Sequence, residues 1–318
     1  MNELPVLPAH RLAVQPEERR WLIDGLWAEE AVGIVGGEPK CCKSFLALDM
    51  AVSVAAGTPC LRRFKVGRPG RVLLYAAEDA LHVVRLRLDG ICRASNNRLE
   101  DLDIQVITAP SLRLDLDADR RRLSDAVARL RPRLLLLDPF VRLHRIDENA
   151  SGEVAPLLAF LRELQRSHAL SVVVVHHARK GASRVRAGQA LRGSSEFHAW
   201  GDSNLYLRRS SDKLTLTVEH RAAPSIGGIS LRLASSGDAL ALETAESAAS
   251  EETVPPAAVE SPERRIETAL ASSPTPLTVA ALRQSCRLRT ATLCDILAGL
   301  VRDGRAQKTP QGYVAATS

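Results

Sequence analysis

The apolar run Ala31-Val32-Gly33-Ile34-Val35 leads into Gly36-Gly37-Glu38-Pro39-Lys40-Cys41-Cys42-Lys43-Ser44 and then into Phe45-Leu46-Ala47-Leu48-Asp49-Met50-Ala51. An apolar strand, a tight loop and a helical pattern opening on Lys-Ser constrain the fold more than any other stretch, because the loop is shaped for phosphate. In such a unit the N–H groups of the loop and of the first helical turn converge on an anion, aided by the positive end of the helix dipole. Lys43 adds a mobile charge for the β- and γ-phosphates, and Ser44 a hydroxyl for Mg²⁺. From Gly37 to Ser44 the pattern G-x-x-x-x-G-K-[ST] is met at every fixed position but one, where Cys42 replaces the second glycine. Glycine there keeps a side chain out of the way of phosphate, so the cysteine either narrows the pocket or fits as a small residue that sets a thiol beside the nucleotide. Residues Gly36 to Phe45 are expected to form the nucleotide site, against the alternative of a turn that binds nothing.

Two more apolar runs bear on that alternative. Arg71-Val72-Leu73-Leu74-Tyr75-Ala76-Ala77 reads as a buried strand ending on Glu78-Asp79, and Arg133-Leu134-Leu135-Leu136-Leu137 as another ending on Asp138. Open parallel sheets bind ligands beyond the C-terminal ends of their strands, so Glu78 and Asp138 are expected to meet the phosphates held by Lys43. Asp138 then suits a Mg²⁺ ligand, direct or through water, and Glu78 a base or orienting group for an attacking water. Either acid alone reads equally well as a helix cap; strand ends presenting Lys, Glu and Asp together favour a site. A third run, Ser171-Val172-Val173-Val174-Val175, ends on His176-His177. Adjacent strand residues point to opposite faces, so the two make a poor chelating pair. His177 is the expected γ-phosphate sensor, with His176 left to pack or cap. The loop after it carries Arg179, Lys180, Arg184 and Arg186, and is either a solvated surface loop or one that faces nucleic acid.

Taken in order, Gly-Gly-Glu-Pro-Lys with Lys43-Ser44, Tyr75-Ala76-Ala77-Glu78-Asp79, Leu137-Asp138-Pro139, His176-His177-Ala178-Arg179-Lys180 and Leu191-Arg192-Gly193-Ser194-Ser195 resemble the RecA-like ATPases related to RepA-type hexameric plasmid helicases. The resemblance covers about residues 20 to 222. It implies a RecA-like P-loop core, a hexameric ring and ATP bound between subunits. By motif, Lys43 and Ser44 would bind phosphate and Mg²⁺, Glu78 would be the catalytic carboxylate, Asp138 the Walker B acid and His177 the sensor. The arginine that such helicases supply in trans is not obvious, because Gly201-Asp202 occupy its neighbourhood. Arg192, Arg208 and Arg209 are the candidates, and Arg208 is taken as the finger.

Leu81 to Cys92, Asp119 to Leu130 and Glu153 to Gln165 have helical spacing, Ile104 to Ile107 is strand-like, and the alternation predicts an α/β fold. Alternating residues from Lys213 to Val218 and from Ile229 to Leu233 predict an antiparallel edge on the parallel sheet. Residues 1–30, with Pro5, Pro8 and Pro16, read as an N-terminal arm, and 31–236 as the ATPase core. Asp238, Glu243, Glu246, Glu251, Glu252 and Glu260 then occur with no Lys or Arg before Arg264, so 237–262 reads as an acidic flexible linker. Residues 263–318 resemble a small winged helix-turn-helix domain, with Thr290 to Arg302 as recognition helix. Its eight Lys or Arg against four acids suit duplex DNA, contacted by Arg287, Arg289 and Lys308. A protein-interaction module of the same fold is the alternative.

No apolar span is long enough to cross a membrane, and the start lacks the pattern of a secretory leader. The six cysteines have neither zinc-ligand spacing nor a disulfide-framework pattern, which predicts a reduced cytoplasm. A net charge of +6 favours acidic partners. The expectation is an ATP- and Mg²⁺-dependent, DNA-associated homo-oligomeric motor or helicase in replication of a plasmid, phage or integrated element. An ATP-controlled DNA-binding regulator, or an adaptor whose hydrolysis Cys42 has crippled, are the alternatives.

Overall fold

Two runs of four consecutive Leu or Val residues, Leu134-Leu135-Leu136-Leu137 and Val172-Val173-Val174-Val175, suit strands covered on both faces, and they lie at the centre of one nine-stranded sheet. The computed structural model describes residues 6–12, 20–177, 196–210, 213–236, 239–245, 262–273, 275–286 and 290–316. In chain order the elements are β1 (Trp21–Ile23), β2 (Trp27–Ala28), β3 (Val32–Gly37), α1 (Lys43–Ala56), β4 (Val72–Ala76), α2 (Leu81–Ala94), β5 (Ile104–Val106), α3 (Asp117–Leu130), β6 (Leu134–Asp138), α4 (Ser151–His168) and β7 (Ser171–His177). There follow α5 (Glu196–Trp200), β8 (Ser203–Ser210), β9 (Lys213–His220), β10 (Ile226–Ser236), β11 (Ala239–Thr244), α6 (Pro262–Ala271), α7 (Val279–Cys286), α8 (Thr290–Arg302), β12 (Ala306–Thr309) and β13 (Gly312–Ala315). The chain divides into two units, Met1–Ser247 and Ala248–Ser318.

The sheet of the first unit runs β11-β10-β9-β8-β3-β7-β6-β4-β5. From β8 to β5 neighbouring strands are parallel, and β8 to β11 form the antiparallel edge that the alternating pattern predicts. One face buries Val35, Leu74, Leu136, Val173 and Val175 with Leu46, Met50 and Leu88 of α1 and α2. The other buries Ile34, Leu73, Leu135, Leu137 and Val174 with Leu123 of α3 and Leu157 and Leu161 of α4. Register sets up the functional end. Gly37 is level with His177 on one side and Leu207 on the other, so the loop leaving β3 emerges between the ends of β7 and β8. Gly37 tolerates no side chain, because a Cβ would lie 2.4 Å from the Leu207 carbonyl oxygen and 2.6 Å from Cys41 Sγ.

Two boundaries differ from the sequence reading. Residues 20–30 are not part of an arm: β1 and β2 pair as a hairpin whose Leu22, Ile23, Leu26 and Trp27 are fully buried. Each such side chain contributes roughly 1.5–3 kcal/mol on burial, enough to hold this short segment on the core that the sheet shares with α1. Polar ties add to it, with Glu29 paired to Arg133 and His220 Nε2 3.1 Å from the Gly25 carbonyl. Residues 6–12 form one exposed 3₁₀ turn, Ala9–Arg11. At the other end, 239–244 is strand β11 rather than linker: it pairs with β10 along its length, and Ala239, Ala241 and Leu242 are buried. Arg62, itself paired with buried Asp49, donates to the Leu242 carbonyl at 2.6 Å. The rest of the acidic stretch, 246–261, lies outside the described residues.

The second unit has its own core, in which Ile266 and Leu270 of α6, Leu282 of α7 and Leu293, Leu297 and Leu300 of α8 are buried together. Strands β12 and β13 pair antiparallel, and Leu277 and Tyr313 exchange two backbone hydrogen bonds of 2.9 Å. Among the described residues, no helix is long and apolar enough to cross a membrane.

Candidate active site

The loop from Glu38 to Cys42 turns sharply enough that two of its residues adopt left-handed backbone, Lys40 at φ 64° and Cys42 at φ 65°. Cys42 caps α1 in that conformation, which accounts for the glycine usual at this position of the motif. Its thiol is half-buried against the α1 side of the core and accepts a hydrogen bond from Arg209 Nη2 at 3.3 Å. Lys43, in the first turn of α1, is buried, and its Nζ donates to the Glu38 carbonyl at 2.7 Å. Burial holds this ammonium below the usual lysine range, against the pull of Cys41, Asp138 and Glu78. The neighbouring Cys41 thiol is buried and shifted upward for the same reason.

Opposite the loop, β6 delivers Asp138, which is 8% exposed and accepts a hydrogen bond from Ser44. Burial, reinforced by the like charges of Asp79 and Glu78, pushes its carboxyl up to about 6. Glu78, just past β4, is exposed enough to meet water and takes a 3.0 Å hydrogen bond from Arg142 Nε. Asp79 pairs with Arg87 of α2, whose guanidinium lies 5.3 Å from the centre of the Phe45 ring. These groups surround a cavity of about 330 Å³ lined by Lys40 to Phe45, Ala76, Glu78, Asp79, Arg87, Asp138, Val175 and His177. A buried ammonium beside a helix N-terminus suits phosphate, and a hydroxyl joined to a carboxylate is an oxygen-only donor pair of the kind Mg²⁺ takes.

Of the residues predicted for the site, Lys40, Cys41, Cys42, Lys43, Ser44, Phe45, Glu78, Asp138 and His177 line this one cavity. Gly36 and Gly37 continue strand β3, and neither they nor Glu38 and Pro39 line it, although Glu38 supplies the carbonyl that holds Lys43. His176 points to the other face, stacked on Phe197 at 4.2 Å, as strand alternation requires. Arg208 and Arg209 are exposed in the last residues of β8. Asp202, in the neighbourhood where a trans arginine was sought, is bound to Arg162 and Arg221 and receives the Val32 amide. It anchors β8 to α4. Lys308 is exposed on β12, whereas Arg179, Lys180, Arg184, Arg186, Arg287 and Arg289 lie outside the described residues. Sequence reasoning missed Arg87 and Arg142. Arg142 follows Asp138 by four positions, which is the only local sign of its place.

The AAA domain family matches residues 2–183, more than half of the chain. Among solved structures, the fold is similar to that in the structure of a DnaB-like replicative helicase and its interactions with primase, with a TM-score of 0.52. The two sequences are 13% identical, over 67% of this chain and 57% of that one, so this chain spans little more than half of that helicase chain's length. That likeness concerns the fold, a RecA-like P-loop core, and agrees with the parallel sheet and loop described above. By its loop, its fold and its family match, the chain belongs to the AAA domain family of P-loop ATPases.

Proposed function

We propose that the protein is an ATP-hydrolysing, DNA-associated motor of the RepA-type helicase group, working as a homohexameric ring in replication of a plasmid, phage or other mobile element in the cytoplasm. The observation that carries this reading is the convergence of Lys43, Ser44, Glu78, Asp138 and His177 on one cavity at the C-terminal ends of parallel strands. ATP sets its phosphates over the loop, where Lys43 exchanges the Glu38 carbonyl for phosphate oxygen. Ser44 and Asp138 would hold Mg²⁺, which would supply neutralisation of the phosphate charge. Glu78 accepts the proton of the attacking water once its bond to Arg142 opens. His177 senses the terminal phosphate, and the residues that follow it in sequence lead to Arg179, Lys180, Arg184 and Arg186, which contact single-stranded DNA. Arg208 serves as the finger for a neighbouring copy.

The similarity to a DnaB-like replicative helicase supports a ring-forming motor. In the second unit, the order of three helices followed by a two-stranded hairpin supports a winged helix-turn-helix, with Arg287, Arg289 and Lys308 directed at duplex DNA. The test is ATP turnover with and without single-stranded DNA, followed by strand displacement on a forked duplex. Stimulation and displacement together support the motor. An ATP-controlled regulator that does not unwind DNA shows neither. Lys43→Ala is expected to abolish Mg-ATP binding, and unchanged affinity and turnover in that variant would overturn the phosphate-loop reading.

A further inference from the structure

We infer that Arg209 is a phosphate ligand acting in cis, supplied by the same chain whose loop holds the nucleotide, and that Cys42 is its resting place when no nucleotide is bound. The inference rests on reading the cavity as a nucleoside triphosphate site. Strand β8 runs parallel beside β3 with Leu207 level with Gly37, so two residues further on the chain has passed the end of β3 and lies alongside the loop. Strand alternation then decides which arginine faces it. Leu205 and Leu207 pack with Val35 on the α1 face, whereas Tyr206 packs with Ile34 on the other. Arg209 therefore takes the α1 face, and Arg208 the opposite one.

The contact itself is specific. Arg209 Nη2 donates to Cys42 Sγ at 3.3 Å, and Cys42 lines the cavity immediately before Lys43. A neutral thiol is a weak acceptor, while a phosphate oxygen takes charge-assisted, often paired hydrogen bonds from a guanidinium. Phosphate entering beside Cys42 thus offers Arg209 a stronger partner within a short swing of its resting place. Glycine at position 42 would offer the arginine no side chain to rest on. The departure from the usual loop motif and the nearby arginine accordingly form one device: the thiol keeps a second cation poised over the anion site beside Lys43. The ligand class is the polyphosphate tail of a nucleoside triphosphate.

The test titrates Mg-ATP into the full chain and its Arg209→Gln, Arg209→Lys and Lys43→Ala variants, and measures turnover of Lys43→Ala and Arg209→Gln chains mixed together. Arg209 is exposed, so its replacement leaves the core intact. Arg209→Gln is expected to weaken ATP binding by roughly tenfold to a hundredfold, the range for a lost hydrogen bond to a charged group. Arg209→Lys should recover part of the loss, because it keeps the charge without the fork. The mixed chains should turn over no faster than the two variants do separately, since each retains only a defective site of its own. ATP affinity within about twofold of the parent for Arg209→Gln, with Lys43→Ala still defective, would overturn the role of Arg209 and leave the site reading intact. Parent-like affinity in Lys43→Ala would instead remove the site reading beneath it. Turnover regained on mixing would overturn action in cis and assign Arg209 to the neighbouring copy's site.

Discussion

Replacing Cys42 by glycine and by valine separates what the backbone asks of this position from what the thiol contributes. The residue sits at φ 65° and ψ 26°, where a side chain costs about 1–2 kcal/mol that glycine does not incur. Glycine loses on two other counts. It widens the unfolded ensemble by roughly 0.4–1 kcal/mol, and it gives up the thiol's packing and its contact with Arg209, together roughly 0.5–1 kcal/mol. The terms oppose and nearly cancel, so Cys42→Gly should change the unfolding free energy by less than about 1 kcal/mol. Valine keeps the left-handed cost and adds a branched Cβ, and should lose roughly 2–3 kcal/mol. All three tryptophans, Trp21, Trp27 and Trp200, lie in the first unit, so urea unfolding followed by tryptophan fluorescence reports that unit alone. Affinity for Mg-ATP in the glycine variant should remain within a few-fold of the parent. A valine variant as stable as the parent would refute the left-handed assignment, and an inactive parent made active by glycine would show that the thiol obstructs phosphate.

The sheet was legible in the sequence because its strands announce themselves by composition. Leu134-Leu135-Leu136-Leu137 and Val172-Val173-Val174-Val175 have no polar face, and only a strand covered by helices on both sides suits them. Strand β11 was not legible for the opposite reason. Its short pattern, Ala239-Leu240-Ala241-Leu242, sits among acids, and its burial does not alternate cleanly, since Leu240 is exposed while Leu242, two residues on along the same face, is buried. The β1–β2 hairpin was hidden in the same way by the prolines upstream of it. At the site, Lys43, Ser44, Glu78 and Asp138 stand at motif positions or strand ends, where local sequence carries their geometry. Arg142 does not, and Arg209 was singled out only as one of three candidates for a trans finger, not for its place beside Cys42. One reaches Glu78 across 64 residues and the other Cys42 across 167, contacts that show only once the strands are in register.

Asp49→Asn should cost the first unit about 3 kcal/mol in the same unfolding assay, because it leaves the partly buried Arg62 guanidinium without its counter-charge; a loss under about 1 kcal/mol would refute the ion pair as a structural tie. Asp138→Asn should stabilise the nucleotide-free protein in a pH-dependent way. Because its folded value of about 6 lies above the ordinary 3.8, the folded chain holds that proton more tightly, and the stability this contributes is present below 3.8 and lost as pH rises through about 6. The asparagine should therefore gain up to roughly 3 kcal/mol at pH 8 and nothing from this source near pH 3.5, and a gain independent of pH would refute the burial argument. Glu78→Gln should keep ATP affinity and stop hydrolysis, since the amide preserves shape but cannot accept the proton; turnover at the parent rate would move the role to Asp79 or another acid. The last expectation concerns the second unit, whose own buried core from Ile266 to Ala306 predicts that cutting between residues 248 and 261 releases a folded fragment. If Arg283, Arg287, Arg289 and Lys308 each neutralise one DNA phosphate, counterion release sets a log–log salt slope near −3.6, a loss of roughly a hundredfold in duplex affinity between 50 and 200 mM salt. Arg305 is left out of that count because it is engaged with Glu267 at 2.6 Å within the unit. Fluorescence anisotropy of the fragment on a labelled duplex measures the slope. No binding at low salt would make the fragment a protein-docking module, and DNA contact would then fall to the first unit alone.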